Sequence, residues 1–301
     1  MPPYIWRAGM TKYRDGMVTI FAHAKVNLSL EVLGRRDDGY HEIVSVLQNL
    51  DLADVLTVEP ASDLGFMCPE VSRVRSDLLE EAVMEAANIV RDQTGYTGGA
   101  LIRLGEINVP RATGLGASSS LPAAVLKGLN EVWSLKLSFE ELTRLASEIG
   151  SDTPFFLYGG TALAEGRGEK VTPLPSPPPT WLVLLNPRLD IGPSKTATLY
   201  RALNPSHFTS GALTQELVNT LRQGNRLQPS MLYNTFENVA FDVFPQLEEY
   251  RRMFLDAGAG EVHLAGAGPA LVSLVPDKQY GETLVESLRG WGLEAYLTHT
   301  V

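Results

Sequence analysis

The sequence has a single cysteine, Cys68, and no long apolar run. One cysteine excludes an intramolecular disulfide and a multi-cysteine metal site, and it fits the reducing cytoplasm, where we expect the protein to be found. Cys68 has no motif around it, and we interpret it as a passive small side chain. No window approaches the ~18 to 20 consecutive apolar residues that a membrane helix requires, so we expect no membrane association.

Positive charge is also scarce in this chain. There are 25 lysine and arginine residues against 35 aspartate and glutamate residues, and the formal net charge is −10. A protein that follows a nucleic-acid backbone needs a basic face, because its binding depends on the release of counterions from the phosphates. The composition therefore argues against nucleic acid as a partner, and it carries no signal for an oligomeric state.

The domain organisation follows from length, composition and one proline-rich segment. A chain of 301 residues with 44% hydrophobic residues can form one large core or two moderate ones. The segment VTPLPSPPPTW predicts a rigid connector that cannot enter a sheet or helix, so we place an N-terminal domain at 17–172 and a C-terminal domain at 180–301. Residues 1–16 lack a secretory signal and are interpreted as an N-terminal extension, either frayed or upstream of a later start at Met10 or Met17.

Local patterns predict alternating strands and helices in both domains. Strands are expected in VTIFAHAKVNLSLEVLG, IVSVLQNLDLADVLTVEP, ALIRLGEINVP and TWLVLLNP, with a turn at RRDDGYHE and a strand, glycine turn and strand in EVHLAGAGPALVSLVP. Helices are expected at 76–93, from Leu121 in LPAAVLKGLNEVW, at 194–202, 213–222 and 245–257, and in SFEELTRLASEIG. The last of these has a capping box, Ser138 and Glu141, and is expected to end at Gly150.

The loop GLGASSS has the composition of a phosphate-binding turn. Gly114 and Gly116 allow a tight turn with several N–H groups on one side, and Ser118, Ser119 and Ser120 add hydroxyl donors. A helix that begins near Leu121, with Pro122 in its first turn, would add the positive end of its dipole. No lysine follows the second glycine, so this is not a G-x-x-x-x-G-K-[ST] loop. A plain capped turn remains the alternative.

Lys25 and Asp152 are the candidate reactive pair. Lys25 lies in the apolar strand AHAKVNLSL, where an ammonium group requires a negative partner. Asp152 lies in GSDTPFF, at the margin of an apolar segment. If the two side chains meet, Lys25 would neutralise charge on a transferring phosphoryl group while Asp152 accepts the proton of an attacking hydroxyl. In the alternative interpretation Lys25 reaches water along its stem and Asp152 caps a turn.

Several motifs occur in the order found in one enzyme superfamily. They are AKVNLSLEVLGRRDDGYHE, VPRATGLGASSS and HLAGAGPALVSL, with LQNLDLADVLTV, GSDTPFFLYGGTALAEGRGE, NPRLDIGPSKTATLYRAL and NTFENVAF between or beside them. Over roughly residues 20 to 275 the chain resembles the galactokinase, homoserine, mevalonate and phosphomevalonate kinase superfamily. Within it, the similarity is closest to the branch of 4-diphosphocytidyl-2-C-methyl-D-erythritol (CDP-methylerythritol) kinases, for which RDDGYHE is the most specific motif.

The resemblance implies a fold, cofactors and a set of site residues. The fold is α+β with two domains, a ribosomal S5-like α/β domain for ATP and phosphate and a ferredoxin-like α+β domain on the substrate side, with the active site between them. The implied activity is ATP- and Mg²⁺-dependent phosphorylation of the 2-hydroxyl of a cytidine diphosphate-linked polyol in the non-mevalonate isoprenoid pathway. The matched positions are Lys25 and Asp152 as the catalytic pair, Gly114, Leu115, Gly116, Ala117, Ser118, Ser119, Ser120 and Asp77 on the nucleotide side, and Asn27, Tyr40, His41, Thr196, Tyr200, Gly266 and Gly268 on the substrate side.

The chemistry of the cytidine residues agrees with these roles, and other functions stay open. Tyr40 and Tyr200 could stack on a base while His41 bonds its edge, although Tyr40 and His41 taken alone are also ordinary turn residues. The loop departs from the cytidyl branch, with Ala117 and Ser118 at two usual glycines and Ile107 at a usual lysine. One alternative is therefore a kinase of the same superfamily for another small alcohol, such as mevalonate or a sugar. Another is a cytidyl-binding relative without phosphoryl transfer.

Overall fold

The computed structural model describes residues 10–12, 16–69, 76–189, 191–192 and 194–301. The chain divides into two compact units, both discontinuous in sequence. Unit one contains the described residues up to Ala24, Leu52–Arg111 and Gly116–Gly159, and unit two contains Lys25–Asp51, Ala112–Leu115 and Gly160–Val301. The division into sequence domains at 172 and 180 stays a prediction, since compact units and sequence domains are different properties. Of the extension at 1–16, residues 1–9 and 13–15 lie outside the described residues.

Two long strands supply part of the sheet in each unit. These are β2 (Val18–Arg35) and β3 (His41–Ala61), and the predicted turn between them is confirmed. In unit one they are joined by β1 (Met10–Lys12), β4 (Leu64–Met67) and β5 (Gly99–Glu106). There, β1 pairs antiparallel with β2, β3 pairs antiparallel with β5, and β4 runs parallel to β5.

The structure describes four helices in unit one, and the second of them, which is the most buried, packs against the other three. The four helices are α1 (Ser76–Thr94), α2 (Ala117–Val132), α3 (Phe139–Ile149) and α4 (Thr153–Tyr158). Gly128 lets α2 approach the sheet closely, because a Cβ atom there would lie 2.6 Å from Val58 Cγ2 and 2.9 Å from Ile20 Cδ1. The predicted capping box of α3 is confirmed: Ser138 Oγ accepts from the Glu141 N–H, and the Glu141 carboxylate accepts from the Ser138 N–H.

The predicted start of α2 near Leu121 is wrong. The helix begins four residues earlier, at Ala117, and Gly116 is its N-cap residue with φ 81°. Pro122 is therefore inside the helix rather than in its first turn. A proline there has no N–H to donate to the carbonyl of Ser118, which the sequence pattern alone takes as a sign of a helix start. As a consequence, Ser118, Ser119 and Ser120 are all residues of the first helical turn.

Unit two contains the remaining parts of β2 and β3 together with a separate antiparallel sheet. The elements that follow are β6 (Thr161–Gly166), β7 (Lys170–Leu174), β8 (Trp181–Asn186), α5 (Lys195–Ala202), α6 (Ala212–Arg222), β9 (Tyr233–Asn234), α7 (Glu237–Val243), α8 (Gln246–Asp256), β10 (His263–Leu264), β11 (Leu271–Val275), α9 (Lys278–Gly290) and β12 (Glu294–His299). Here β3 pairs with β6, β6 pairs with β7, and β9 runs parallel to β2. The separate sheet has the order β10-β11-β8-β12.

The core of unit two lies between this four-stranded sheet and its helices. The buried side chains include Val183 and Leu185 of β8, Leu284 of α9, Phe254 of α8 and Phe236 just before α7. Burial of such side chains is the main favourable contribution to folding. With sheets and helices in both units, the predicted α+β class is confirmed. In the part of the chain that the structure describes, no helix combines the length and the apolar character needed to cross a bilayer.

One expectation about the proline-rich connector is also wrong. The segment from Val171 to Leu174 is part of β7, and Pro173 pairs with Ala162 of β6. Proline is tolerated in a strand that has a neighbour on one side only, because the missing N–H then faces away from the ladder. β7 is such a strand, since among the strands that the structure describes it pairs with β6 alone. The remaining predicted helices and strands agree with the observed ones to within a few residues.

Candidate active site

Lys25 is the first member of a buried polar chain in unit two. Its side chain is only 4% exposed, so the alternative in which it reaches water is wrong. Lys25 Nζ donates to Asn27 Oδ1 at 2.7 Å, and Asn27 Nδ2 donates to Ser45 Oγ at 2.8 Å. The Ser45 hydroxyl in turn donates to the Ser29 carbonyl at 2.5 Å. These bonds fix the Asn27 amide, which holds the ammonium group of Lys25 in one place on the strand.

The glycine turn near the end of the sequence closes over Lys25. Gly266 and Gly268 both have positive φ, 55° and 67°, which confirms the predicted turn. A Cβ atom on Gly266 would lie 3.3 Å from Lys25 Nζ and 3.2 Å from Asn27 Oδ1. Asn234 anchors the turn by donating to the carbonyls of Leu264 and Gly266, each at 2.8 Å. A side chain at Gly266 would therefore crowd the lysine and strain the turn.

The first glycine of the phosphate loop packs against the same turn. Gly114 has φ 88°, and a Cβ atom there would lie 1.9 Å from the Ala265 carbonyl oxygen. The carbonyl of Leu115 accepts a hydrogen bond from the Lys25 N–H at 2.9 Å. Unit two therefore brings together Lys25, Asn27, the start of the phosphate loop and the late glycine turn, which are four elements far apart in sequence.

The rest of the phosphate loop belongs to unit one, where it forms the start of α2. The N–H groups of Ser119 and Ser120 both donate to the Gly116 carbonyl at 2.9 Å. The N–H groups of Ala117 and Ser118 have no acceptor within α2, and they carry the positive end of the dipole of this helix. Ser120 Oγ is buried and makes no hydrogen bond among the described residues. The loop thus places N–H groups and serine hydroxyls at a helix start, where binding of phosphate stays a prediction.

Asp152 lies beside this helix start within unit one. It precedes α4 as its N-cap residue, but its side chain makes no capping hydrogen bond, which argues against a purely capping role. The point where a Cβ on Gly150 would lie is 3.2 Å from Thr153 Oγ1 and 4.0 Å from Ser119 Oγ. The Asp152 segment and the serine loop are therefore neighbours. Asp152 and Lys25 belong to different units, and their pairing stays a prediction.

His41 and Tyr200 form a stacked pair in unit two. Their ring centroids are 4.6 Å apart with an interplanar angle of 18°. His41 is 8% exposed, and its Nε2 atom is buried without a hydrogen-bond partner in the described residues. Burial, and to a smaller extent the charge of Arg35, lowers the pKa of His41, so the imidazole is neutral at pH 7. A neutral imidazole with an unpartnered nitrogen can bond the edge of a heterocyclic base.

The other predicted site residues are more exposed. Tyr40 is 56% exposed, and the Arg167 guanidinium lies over its ring at 4.6 Å from the centroid. Thr196 is exposed in the first turn of α5, and Asp77 is exposed in the first turn of α1. The expectation that Tyr40 and Tyr200 both stack on a base stays a prediction, since the Tyr200 ring already stacks on His41.

Lys195, which precedes Thr196, is a site residue that the sequence pattern does not indicate. Its Nζ donates to the Ala112 carbonyl, just before the phosphate loop, and to the Gly268 carbonyl in the late glycine turn. Burial, followed by the positive charge of Lys25, lowers the pKa of Lys195 to about 8. A lysine directly before a matched threonine was the available signal, but nothing local to it indicates carbonyl partners so distant in sequence.

Two family models match the chain. The model for the GHMP kinases N terminal domain matches residues 81–160, and the model for the GHMP kinases C terminal domain matches residues 213–292. Together they cover more than half of the sequence, in the order that the motifs predict.

Curated relatives and solved structures give the branch. A 4-diphosphocytidyl-2-C-methyl-D-erythritol kinase of Dehalococcoides mccartyi strain CBDB1 is 45% identical over 285 residues, which is 95% of this chain and 99% of the relative. The enzyme of that name from Symbiobacterium thermophilum is 38% identical over 94% of this chain and 99% of its own length. A crystal structure of a 4-(cytidine 5′-diphospho)-2C-methyl-D-erythritol kinase superimposes with a TM-score of 0.79 at 33% identity, covering 94% of this chain and 98% of that one. A homoserine kinase from Cytophaga hutchinsonii shares the fold, with a TM-score of 0.74 at 17% identity over 97% and 96% of the two chains.

This chain, with its buried lysine, its serine loop at a helix start and its glycine turn, thus matches one group of small-molecule kinases over 95% of its length. The protein belongs to the GHMP kinases and, within them, to the family of 4-diphosphocytidyl-2-C-methyl-D-erythritol kinases.

Proposed function

We propose that the protein transfers the γ-phosphoryl group of ATP to the 2-hydroxyl of CDP-methylerythritol. The observation that carries the choice of substrate is the stacked pair of His41 and Tyr200, with the buried Nε2 of His41 left without a partner in the described residues. A buried polar atom without a partner is unfavourable unless a ligand supplies one. The edge of a cytosine ring supplies hydrogen-bonding groups that fit this atom.

Asp152 and Lys25 have complementary roles in the proposed reaction. The Asp152 carboxylate accepts the proton of the 2-hydroxyl while the oxygen of that hydroxyl forms a bond to the γ-phosphorus. At the same time the bond between the γ-phosphorus and the leaving ADP oxygen breaks. The Lys25 ammonium, held by Asn27 at 2.7 Å, offsets negative charge on the transferring group. A fixed charge of this kind needs little reorganisation during the reaction, which makes it effective in the transition state.

The nucleotide phosphates bind, in this proposal, at the start of α2. Gly114 and Gly116 permit the turn, Leu115 and Ala117 are buried beneath it, and the serines supply donors. Mg²⁺ would offset the negative charge of the phosphates. At such sites Mg²⁺ is held mainly by the phosphates with one or two protein oxygens. This fits the donor set, because the Ser119 hydroxyl at the start of α2 offers a single oxygen ligand.

The test is an assay of ADP release with ATP, Mg²⁺ and one acceptor at a time: CDP-methylerythritol, mevalonate, phosphomevalonate or homoserine. We expect turnover only with CDP-methylerythritol. A higher kcat/KM for any other acceptor would contradict the proposal and favour another small alcohol. Cytidyl binding without ADP release would instead favour a non-catalytic relative.

A variant of His41 tests the residue that carries the proposal. His41→Phe keeps an aromatic ring against Tyr200 but removes both nitrogens. We expect the KM for CDP-methylerythritol to rise about tenfold or more, as for a lost hydrogen bond to a buried group, while the KM for ATP stays within twofold. His207→Phe, a substitution in a short turn with a local hydrogen bond to Asn204, serves as the matched control. Equal effects of His41→Phe on both substrates would place His41 outside the cytidine site.

A further inference from the structure

Lys195 is a cationic residue at the site to which the proposed reaction gives no role. It is the first residue of α5, and its Nζ donates to the carbonyls of Ala112 and Gly268. One carbonyl comes from the segment that enters the phosphate loop, and the other from the glycine turn that closes over Lys25. An ammonium group at this junction has one remaining donor, since Nζ carries three hydrogens and two are engaged.

The charges around Lys195 favour the binding of an anion. Both of its hydrogen-bond partners are neutral carbonyl groups, and the charge that acts on it from the described residues is that of Lys25, which is also positive. These effects, with burial as the larger, explain why the pKa of Lys195 falls to about 8. Two neighbouring cations that are partly withdrawn from water repel each other, and a bound phosphate would offset that repulsion.

The helix that carries Lys195 also carries the candidate base-binding ring. Tyr200 is five residues further along α5, which corresponds to about 7.5 Å along the helix axis. Lys195 is at the end of α5 near Lys25, and Tyr200 is toward the other end, stacked on His41. In a molecule made of a base, a diphosphate and a polyol, the diphosphate lies between the base and the reacting alcohol. A base at Tyr200 and an alcohol near Lys25 would leave that diphosphate at Lys195.

We infer that Lys195 binds the diphosphate of the acceptor substrate, as a second cation beside Lys25. This inference rests on the proposed function, because it takes the acceptor to be a cytidine diphosphate derivative. It assigns Lys195 to substrate binding rather than to the chemical step. An alternative ligand for Lys195 is the phosphate chain of ATP. A comparison of cytidine 5′-diphosphate with ADP distinguishes these two ligands.

Calorimetric titration of the full chain with cytidine, cytidine 5′-diphosphate and ADP tests the inference. The variants are Lys195→Gln, which removes the charge, and Lys195→Arg, which keeps it. For Lys195→Gln we expect the affinity for cytidine 5′-diphosphate to fall at least about tenfold, with cytidine and ADP within twofold of the parent. Lys195→Arg should recover most of the lost affinity. Lys170→Gln, at an exposed lysine of the same unit, should change none of the three affinities.

Proton uptake gives a second measurement that a merely structural role would not produce. At pH 8 a lysine with a pKa of about 8 is partly neutral, and a bound diphosphate would raise its pKa, so binding should take up a fraction of a proton. Titrations in buffers of different ionisation enthalpy measure that fraction. We expect uptake with cytidine 5′-diphosphate but not with cytidine, and we expect Lys195→Arg to abolish it.

The outcomes that overturn the inference are separable. If Lys195→Gln weakens cytidine and cytidine 5′-diphosphate equally, the residue supports the turn and binds no phosphate. If Lys195→Gln lowers the affinity for ADP instead, Lys195 binds the phosphates of the nucleotide. If the parent binds neither cytidine ligand, the proposed substrate fails and the inference fails with it. If the parent distinguishes the two cytidine ligands and Lys195→Gln does so equally well, the proposed function stands and Lys195 alone is excluded.

Discussion

Lys127 provides a quantitative test of burial in unit one. It lies in α2, is 8% exposed, and its Nζ donates to the Phe156 carbonyl of α4 at 2.8 Å. Burial lowers its pKa from 10.5 to about 8. That difference corresponds to ~3 kcal/mol against the charged form in the folded protein. Replacement by methionine keeps the length of the side chain, removes the charge and loses one hydrogen bond of about 1 kcal/mol. We therefore expect Lys127→Met to raise the free energy of unfolding by ~1 to 2 kcal/mol at pH 7.

The pH dependence of the stability tests the sign of this effect independently. Below pH 8 the lysine is charged in both states, and the folded protein bears the full penalty. Between pH 8 and 10.5 the folded state releases the proton while the unfolded state keeps it, so the stability of the parent rises with pH. The advantage of Lys127→Met should therefore shrink as the pH increases through this range.

Amide hydrogen exchange in α2 measures this stability locally, with Lys136→Met, at an exposed lysine of the same unit, as the control. A loss of more than ~1 kcal/mol at pH 7 would mean that the hydrogen bond to Phe156 outweighs the burial of charge. An advantage that stays constant between pH 7 and 9.5 would refute the argument from charge altogether.

Three further predictions concern the site. Asp152→Asn should lower kcat by ~100-fold or more while the KM values stay within a few-fold, because a base acts in the transition state; a kcat near that of the parent in steady-state assays would remove Asp152 from the mechanism. Gly116→Val should abolish binding of a non-hydrolysable ATP analogue in calorimetry, since φ at this N-cap is 81°, whereas Ser119→Ala should weaken binding by only about 1 to 2 kcal/mol; a larger loss for the serine would show that side chains rather than N–H groups hold the phosphates. Gly114→Ala should destabilise unit two by ~2 to 4 kcal/mol in urea unfolding, because its Cβ would lie 1.9 Å from a backbone oxygen, and a neutral effect would mean that the late turn moves freely.

The parts of the fold that sequence predicted are those that depend on neighbouring residues. The hairpin of β2 and β3 follows from alternation and a turn, and the start of α3 follows from Ser138 and Glu141, which bond each other. The start of α2 was missed because Gly116 caps the helix through its own left-handed backbone rather than through a side chain. Pro173 was excluded from a strand because the sequence does not tell which strands have a single neighbour.

The candidate site was predicted mainly through the resemblance. Spacing alone could not place Lys25 beside Gly266, because 241 positions separate them in the sequence and only the folded turn brings them to contact. Lys195 was missed for a similar reason, since its carbonyl partners are 83 and 73 positions away. The orphan Nε2 of His41 is likewise a property of its surroundings and has no signature in the motif.

The discontinuity of the two units bears on how the chain is made. Residues 25–51 of β2 and β3 emerge early in synthesis, but within unit two they pair with β6, with β9 and, through Leu50, with Thr300. Synthesis proceeds at ~5 to 20 residues per second, so these strands wait at least several seconds for their partners. Unit one contains no residue after Gly159, so all of its segments have been made at an earlier stage. During the interval the newly made strands expose unpaired edges, and such edges favour aggregation of a nascent chain.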